Sequence, residues 1–105
     1  MVRGDVFAIV LPGRRGHVQQ GRRYAVVVQA DELLALSTVV VCPTSTSTPP
    51  ASFHPEIALG EETTRVMCEM VGAVDAQALG AHAGRLMHDE MRVVDEALEL
   101  VLDLA

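Results

Sequence analysis

The segment from Gly16 to Arg23 brings one histidine and two arginines together in a polar, glycine-bracketed stretch just before an apolar run. His17 can transfer a proton near neutral pH, because the reference pKa of histidine is about 6.5. The planar guanidinium groups of Arg22 and Arg23 can each bind a phosphate through two parallel hydrogen bonds. The pattern indicates phosphodiester chemistry. Its alternative is a solvated hairpin whose arginines only keep the loop soluble.

Thr44 and Ser45 are further candidates, because they follow the β-branched run from Thr38 to Cys42. A hydroxyl at the end of a strand can hold a phosphate oxygen, but an ordinary turn threonine has the same sequence context. The segment from Pro43 to Pro50 is rich in Thr, Ser and Pro, so we expect it to be an exposed loop.

Glu69 lies within the apolar segment from Thr64 to Val71, which is predicted to be a strand. A carboxylate in such a strand is costly to bury unless it is paired or functional. Two interpretations stay open. Glu69 either belongs to the reactive site or only anchors an arginine, Arg65 or Arg85.

The charge of the chain is unevenly distributed. The net charge is −6, and all eight basic residues are arginines. Five arginines face one aspartate in the first thirty residues, whereas three arginines face thirteen acidic residues in the rest. This balance argues against a broad electrostatic surface for long nucleic acid, whose affinity comes from many neutralised phosphates, but it allows contact with one or two phosphates.

Cys42 and Cys68 both lie in apolar runs, which suits reduced thiols in a core. Neither has a second Cys or His at zinc-finger spacing, so we expect no metal and no cofactor. No apolar run approaches the roughly 20 residues that span a bilayer, and the N-terminus lacks a signal-peptide pattern. We therefore expect a cytoplasmic protein with no membrane association.

The chain is expected to form one domain over residues 1–105, with short strands first and a helix last. The strand spacing predicts a small, closed or half-closed antiparallel barrel. From Asp89 the hydrophobic period becomes 3.6, which predicts a helix that packs on the barrel. Short helical segments are predicted over 30–35 and 75–80. The predicted strands cover residues 6–11, 24–29, 38–42, 53–59, 64–71 and 84–86.

Several short motifs follow one another in an order that is itself informative. They are Arg3 to Phe7, Gly16 to Arg23 (Gly-His-x-Gln-Gln-Gly-x-Arg), Val40 to Ser45, Val66 to Glu69, Gly84 to Leu86 and Asp95 to Leu98. Almost from end to end, this order resembles the Kid/PemK branch of the MazF-like toxins of bacterial toxin–antitoxin pairs.

The resemblance implies a mainly β fold, with an SH3-like, Kid-type antiparallel barrel, a C-terminal α-helix and short accessory helices. It implies a toxin of a type II toxin–antitoxin system, acting as a metal-independent, sequence-selective endoribonuclease that cleaves single-stranded RNA by 2′-hydroxyl attack. It also implies a homodimer and a cognate antitoxin, a disordered segment of which folds over the active groove.

The resemblance further implies roles for individual residues. Arg23 would stabilise the phosphorane, and the hydroxyl of Thr44 would hold a non-bridging phosphate oxygen. His17 would stabilise charge or transfer a proton, and Glu69, in place of the family's Asp, would act as the base. The RNA-binding residues would be Gln19, Gln20, Arg22 and Ser45.

The chain also departs from the family pattern. Tyr24 stands where the family has proline, and Met67 and Gly72 stand where the branch has arginines. The missing positive groups favour an alternative function, a non-catalytic binding module on the same fold. Such a module would be a gyrase poison like CcdB or a degenerate toxin that only binds its antitoxin.

Overall fold

An antiparallel sheet, curled into a half-barrel and covered by one C-terminal helix, forms the fold. The computed structural model describes residues 1–9 and 23–104, so the predicted end of the first strand and the Gly16 to Arg22 part of the loop lie outside the described residues. The described strands are β1 (Asp5–Ile9), β2 (Arg23–Val27), β3 (Thr38–Ser45), β4 (Glu56–Leu59), β5 (Glu62–Val66), β6 (Gly72–Asp75) and β7 (Leu79–Arg85). The helix α1 covers His88–Leu102, and short 3₁₀ turns cover Asp31–Leu33, Cys68–Met70 and Ala76–Ala78.

The strand order is β4-β5-β3-β2-β1-β7, with β6 paired to β3. On one side, β3 pairs with β2, opposing Pro43 to Ala25. On the other side, β3 first pairs with β6 and then, at Thr44 and Ser45, with β5. The long strand β3 therefore pairs with two strands in succession along the same edge. This exchange from β6 to β5 lets the sheet curl.

Pro43 does not end β3, although the sequence predicted a loop from this residue. In an antiparallel strand the N–H and C=O of a residue point to the same side. The carbonyl of Pro43 accepts the N–H of Met67 at 2.8 Å, so the missing N–H of the proline would lie on that side, between β6 and β5. The proline interrupts no ladder there, and the strand continues to Ser45.

Alternating side chains of the sheet enter two hydrophobic clusters. The first cluster includes Val26, Cys42 and Cys68 together with the buried face of α1, whereas the second includes Ala25 and Val41. Because strand side chains alternate with period two, the even-numbered residues of β2 and β3 face the first cluster and the odd-numbered residues face the second.

The C-terminal helix confirms the periodicity prediction. Val94, Ala97 and Leu98 are buried in the first cluster, and Met91 and Val101 pack against it. Leu102, which the 3.6-residue period also places on the apolar face, is exposed at the last turn. Within the part of the chain that the structure describes, no helix is long and apolar enough to cross a membrane.

A glutamate compensates for the absence of a conventional N-cap residue in α1. The N–H of Met87 donates to Glu90 Oε1 at 2.8 Å, which satisfies one free donor at the helix start. The other oxygen, Oε2, accepts the N–H of Ala58 at 2.7 Å. The same side chain therefore caps the helix and fastens it to β4.

Several predicted elements have different bounds in the structure. The strand expected over 53–59 begins only at Glu56, and the strand expected over 64–71 is divided into β5, a 3₁₀ turn and β6. The helix expected over 75–80 is a single turn, capped by Asp75, whose Oδ1 accepts the N–H of Gln77 at 2.8 Å. Gly80 does not stop a helix but lies in β7, where an added Cβ would approach the Ala8 carbonyl oxygen to 3.2 Å.

A buried aspartate joins the N-terminal segment to β7. The side chain of Asp5 is 3% exposed, and its Oδ1 accepts bonds from Arg85 Nε at 2.8 Å and His82 Nε2 at 3.0 Å. Its Oδ2 accepts the N–H of Val2 at 2.8 Å. Burial acts to raise the pKa of Asp5, but the bonds from Arg85, Val2 and His82 outweigh it and lower this pKa from 3.8 to about 2.

We predict that Asp5→Asn removes an acid-sensitive part of the stability. Because the pKa of Asp5 is lower in the folded state, its contribution is fully present above about pH 4 and is lost as the pH falls towards about 2. The full contribution is about 2 kcal/mol. Urea unfolding between pH 2 and pH 7 measures it, with the exposed Asp103→Asn as control. Equal pH dependence of both variants and the wild type would contradict this role.

Candidate active site

Arg23 begins β2 and lies opposite Ile9 of β1. Its side chain is half-buried, and Nη1 donates to the carbonyl oxygen of Thr44 at a long distance of 3.4 Å. This contact uses one of the five N–H donors of the guanidinium. Arg23 therefore lies where the first residue of β2 meets the end of β3.

The hydroxyl of Thr44 does not share this location. Thr44 is 3% exposed, and its Oγ1 donates to the carbonyl of Tyr24 at 3.4 Å. By the alternation of the sheet, Thr44 faces the first cluster with Cys42, whereas Arg23 lies on the opposite face. The structure thus brings the guanidinium to the backbone of Thr44 and not to its hydroxyl. The predicted convergence of these two side chains on one anion is not the arrangement observed.

Ser45 is the next residue of β3 and, by alternation, lies on the face of Arg23. It is half-buried, and its Oγ accepts the N–H of Ser47 at 3.2 Å and lies 3.1 Å from the Ser47 hydroxyl. These bonds turn the chain away from the strand at its last residue. Ser45 therefore presents a hydroxyl at the strand end.

Glu69 lies on the 3₁₀ turn Cys68–Met70 and not in a strand. Its side chain is 39% exposed, and Oε2 is 2.6 Å from Nε2 of His54. The predicted arginine partners are wrong, since Arg85 binds Asp5 and Arg65 binds Glu56 at 3.6 Å. Arginine partners were expected because arginine forms the strongest pairs with carboxylates. The strand pairing, however, places both arginines beside other carboxylates.

His54 is the site residue that sequence analysis missed. It is 5% exposed, and its Nδ1 is 2.8 Å from the carbonyl oxygen of Pro49. A carbonyl only accepts, so Nδ1 must carry a proton. The bond to Glu69 raises the pKa of His54, burial opposes this, and the bond to Pro49 adds to the increase. The sequence signal is a lone histidine fifteen residues before the glutamate, which no motif marks.

The other predicted site residues have no described geometry. His17 and the RNA-binding candidates in the same loop lie outside the described residues, namely Gln19, Gln20 and Arg22. Their assignments stay predictions.

The two cysteines are free and buried, as predicted. The hydrogen bond that the Cys42 thiol donates to Cys68, together with burial, raises the pKa of Cys42, which keeps this thiol protonated. Among residues 1–9 and 23–104, no group of His, Cys, Asp and Glu side chains is arranged to hold a metal ion.

Comparison with known proteins places this geometry in context. Residues 2–102 match the family model described as PemK-like, MazF-like toxin of type II toxin–antitoxin system. A Mycobacterium tuberculosis protein named as a candidate toxin is 35% identical over 106 residues, which cover 99% of each chain.

Solved structures share the fold at lower identity. An endoribonuclease from a mycobacterial species, in complex with its cognate antitoxin, matches with a TM-score of 0.82 and 17% identity, covering 100% of this chain and 97% of that one. A MazE–MazF complex from Deinococcus radiodurans matches with a TM-score of 0.78 and 18% identity, covering 100% and 97%.

We predict that Glu69→Gln lowers the pKa of His54, because burial then acts without the carboxylate that opposes it. The raised pKa stabilises the folded wild type below the unfolded-state value of about 6.5, and this advantage is lost as the pH rises through the folded-state pKa. Ring ¹⁵N chemical shifts of His54 across pH 5 to 9 measure the pKa. The exposed Glu96→Gln is the control, and an unchanged His54 titration in Glu69→Gln would contradict the pairing.

Proposed function

This chain belongs to the PemK-like, MazF-like toxin family of type II toxin–antitoxin systems, and we propose that it acts as an endoribonuclease on single-stranded RNA. The observation that carries the proposal is the placement of the Arg23 guanidinium at the junction of two strand ends, beside the carbonyl of Thr44. A cation held on a rigid sheet in this way suits the binding of one phosphate.

The proposed reaction needs no metal. The 2′-oxygen attacks the adjacent phosphorus, the bond from phosphorus to the 5′-oxygen breaks, and the products are a 2′,3′-cyclic phosphate and a 5′-hydroxyl. A base takes the proton of the 2′-hydroxyl and an acid supplies one to the 5′-oxygen. Negative charge develops on the non-bridging oxygens in between, and we assign its stabilisation to Arg23.

The two hydroxyl residues take different parts in this proposal. Thr44 holds Arg23 through its carbonyl, while its buried hydroxyl satisfies the carbonyl of Tyr24. The hydroxyl of Ser45, on the face of Arg23 at the strand end, is placed to contact a phosphate oxygen. Thr44 is therefore proposed to support the site, and Ser45 to contact RNA.

Glu69 and His17 are the proposed proton-transfer residues. One carboxylate oxygen of Glu69 is occupied by His54, and the side chain is exposed enough for the second oxygen to receive a proton. His17 is assigned from the sequence motif, as are the RNA contacts by Gln19, Gln20 and Arg22.

We also propose that the protein forms a homodimer and binds a cognate antitoxin. The antitoxin-bound structures among its neighbours support the second partner. Exposed apolar side chains on and around α1 provide a surface that favours association. They are Met87, Val93, Leu100, Leu102 and Leu104.

A non-catalytic binding module on the same fold is the second candidate function. Met67 and Gly72 replace arginines of the Kid/PemK branch, and the Thr44 hydroxyl faces the interior. A gyrase poison or a toxin that only binds its antitoxin requires neither those arginines nor an accessible Thr44 hydroxyl.

We predict that Arg23→Ala lowers the rate of RNA cleavage by at least about 100-fold, by comparison with the loss of one oxyanion-stabilising donor. Purified protein is incubated with mixed single-stranded RNAs in EDTA, and the new ends are sequenced. Arg92→Ala, on the exposed face of α1, is the matched control and keeps wild-type activity. A 2′-deoxy substitution at the cleaved nucleotide abolishes cutting, because it removes the nucleophile.

Two results would overturn the nuclease assignment. Cleavage that persists in Arg23→Ala would identify a contaminant, and cleavage of the 2′-deoxy substrate would exclude the proposed attack. Absence of cleavage by a folded wild type that still binds gyrase or an antitoxin would favour the binding module.

We predict that expression of the wild type arrests bacterial growth, whereas Arg23→Ala does not, because arrest requires cleavage of RNA. We expect co-expression of a cognate antitoxin to restore growth. Colony counts after induction measure both effects. Equal arrest by both forms would show that binding alone is toxic.

A further inference from the structure

His54 connects three segments around the end of β3. Its ring joins the loop residue Pro49 to the 3₁₀-turn residue Glu69, and its backbone carbonyl accepts Nη1 of Arg65 at 2.9 Å. Arg65 itself lies opposite Ser45 in the β3–β5 pair. His54 therefore links the loop after Ser45, strand β5 and the carboxylate of Glu69.

The hydrogen bonds define the protonation of this histidine. Nδ1 donates to the Pro49 carbonyl, so in neutral imidazole Nε2 would present a lone pair towards Glu69. Two acceptors at the observed 2.6 Å would repel each other, so one proton must lie between them. With the carboxylate ionised, His54 is an imidazolium that donates from both ring nitrogens.

We propose that His54 is a positioning residue for RNA cleavage: it holds Oε2 of Glu69 through Nε2–H and leaves Oε1 to accept the proton of the attacking 2′-hydroxyl. The inference rests on the proposed function and deepens it. Through Nδ1–H the same ring fixes the loop that follows Ser45, so the base and the strand-end hydroxyl are aligned by one side chain. His54 does not touch RNA in this arrangement, because it is 5% exposed.

The charged groups around His54 determine how its hydrogen bond to Glu69 depends on pH. Glu69 favours the imidazolium from the 3₁₀ turn, whereas the Arg65 guanidinium on β5 disfavours it. Glu56, at 3.6 Å from Arg65, partly balances that guanidinium. Loss of the Nε2 proton at alkaline pH places a lone pair against the carboxylate and displaces it. Cleavage therefore declines as the pH rises through the folded-state pKa of His54.

Two isosteric variants separate the two ring contacts. In His54→Asn the amide nitrogen occupies the place of Nδ1 and keeps the bond to Pro49 but loses Glu69. In His54→Gln the amide nitrogen occupies the place of Nε2 and keeps the bond to Glu69 at every pH. We expect His54→Asn to lower kcat by roughly 10- to 100-fold with little change in KM. We expect His54→Gln to retain kcat within about 5-fold and to lose the alkaline decline.

The experiment measures kcat and KM on one single-stranded RNA between pH 5 and 9, with ring ¹⁵N titration of the wild type. Coincidence of the alkaline decline with the His54 titration, and its loss in His54→Gln, supports the proposal. Wild-type kcat in folded His54→Asn, or a decline in His54→Gln that still follows the wild-type His54 titration, overturns it. If His54→Asn does not fold, the His54→Gln profile decides alone. Undiminished cleavage by Arg23→Ala would instead overturn the proposed function.

Discussion

The change of partner along β3 is the constraint on which the rest of the structure depends. The strand pairs with β2 along one side and with β6 and then β5 along the other. Pro43 lies at the exchange, where its missing N–H breaks no ladder and its carbonyl receives the chain as it leaves β5. If one strand paired with β3 along that whole edge, the ladder would require a backbone N–H at position 43, which proline lacks. Pro43 therefore lies at the point of β3 where this edge passes from β6 to β5.

The same exchange defines what surrounds the strand end. Because β5 pairs with only the last two residues of β3, the chain after Val66 is free to turn, and Cys68 enters the first cluster while Glu69 faces outward. Arg23 approaches the same end from β2. The candidate site is therefore the meeting point of three chain segments, and backbone pairing places its members.

The polar side chains that the fold buries are hydrogen-bonded within the protein. In the described ranges, no buried side-chain nitrogen or oxygen lacks a hydrogen-bond partner. Asp5 gathers donors from β7, and His54 lies between a carbonyl and a carboxylate. Unpaired burial of either group would be costly, so each is fixed in a definite geometry.

Elements with a local sequence signal were predictable from the residues alone. The helix α1 follows from a 3.6-residue period, and the strand that begins at Arg23 follows from a β-branched run, so both were predictable. By contrast, the inward orientation of Thr44, the end of β5 at Val66 and the pairing of Glu69 with His54 arise only when the chain is folded. These outcomes depend on which segments meet across the sheet. Strand register and the choice of a carboxylate partner by each arginine are set by contacts between residues distant in sequence, which no local pattern encodes.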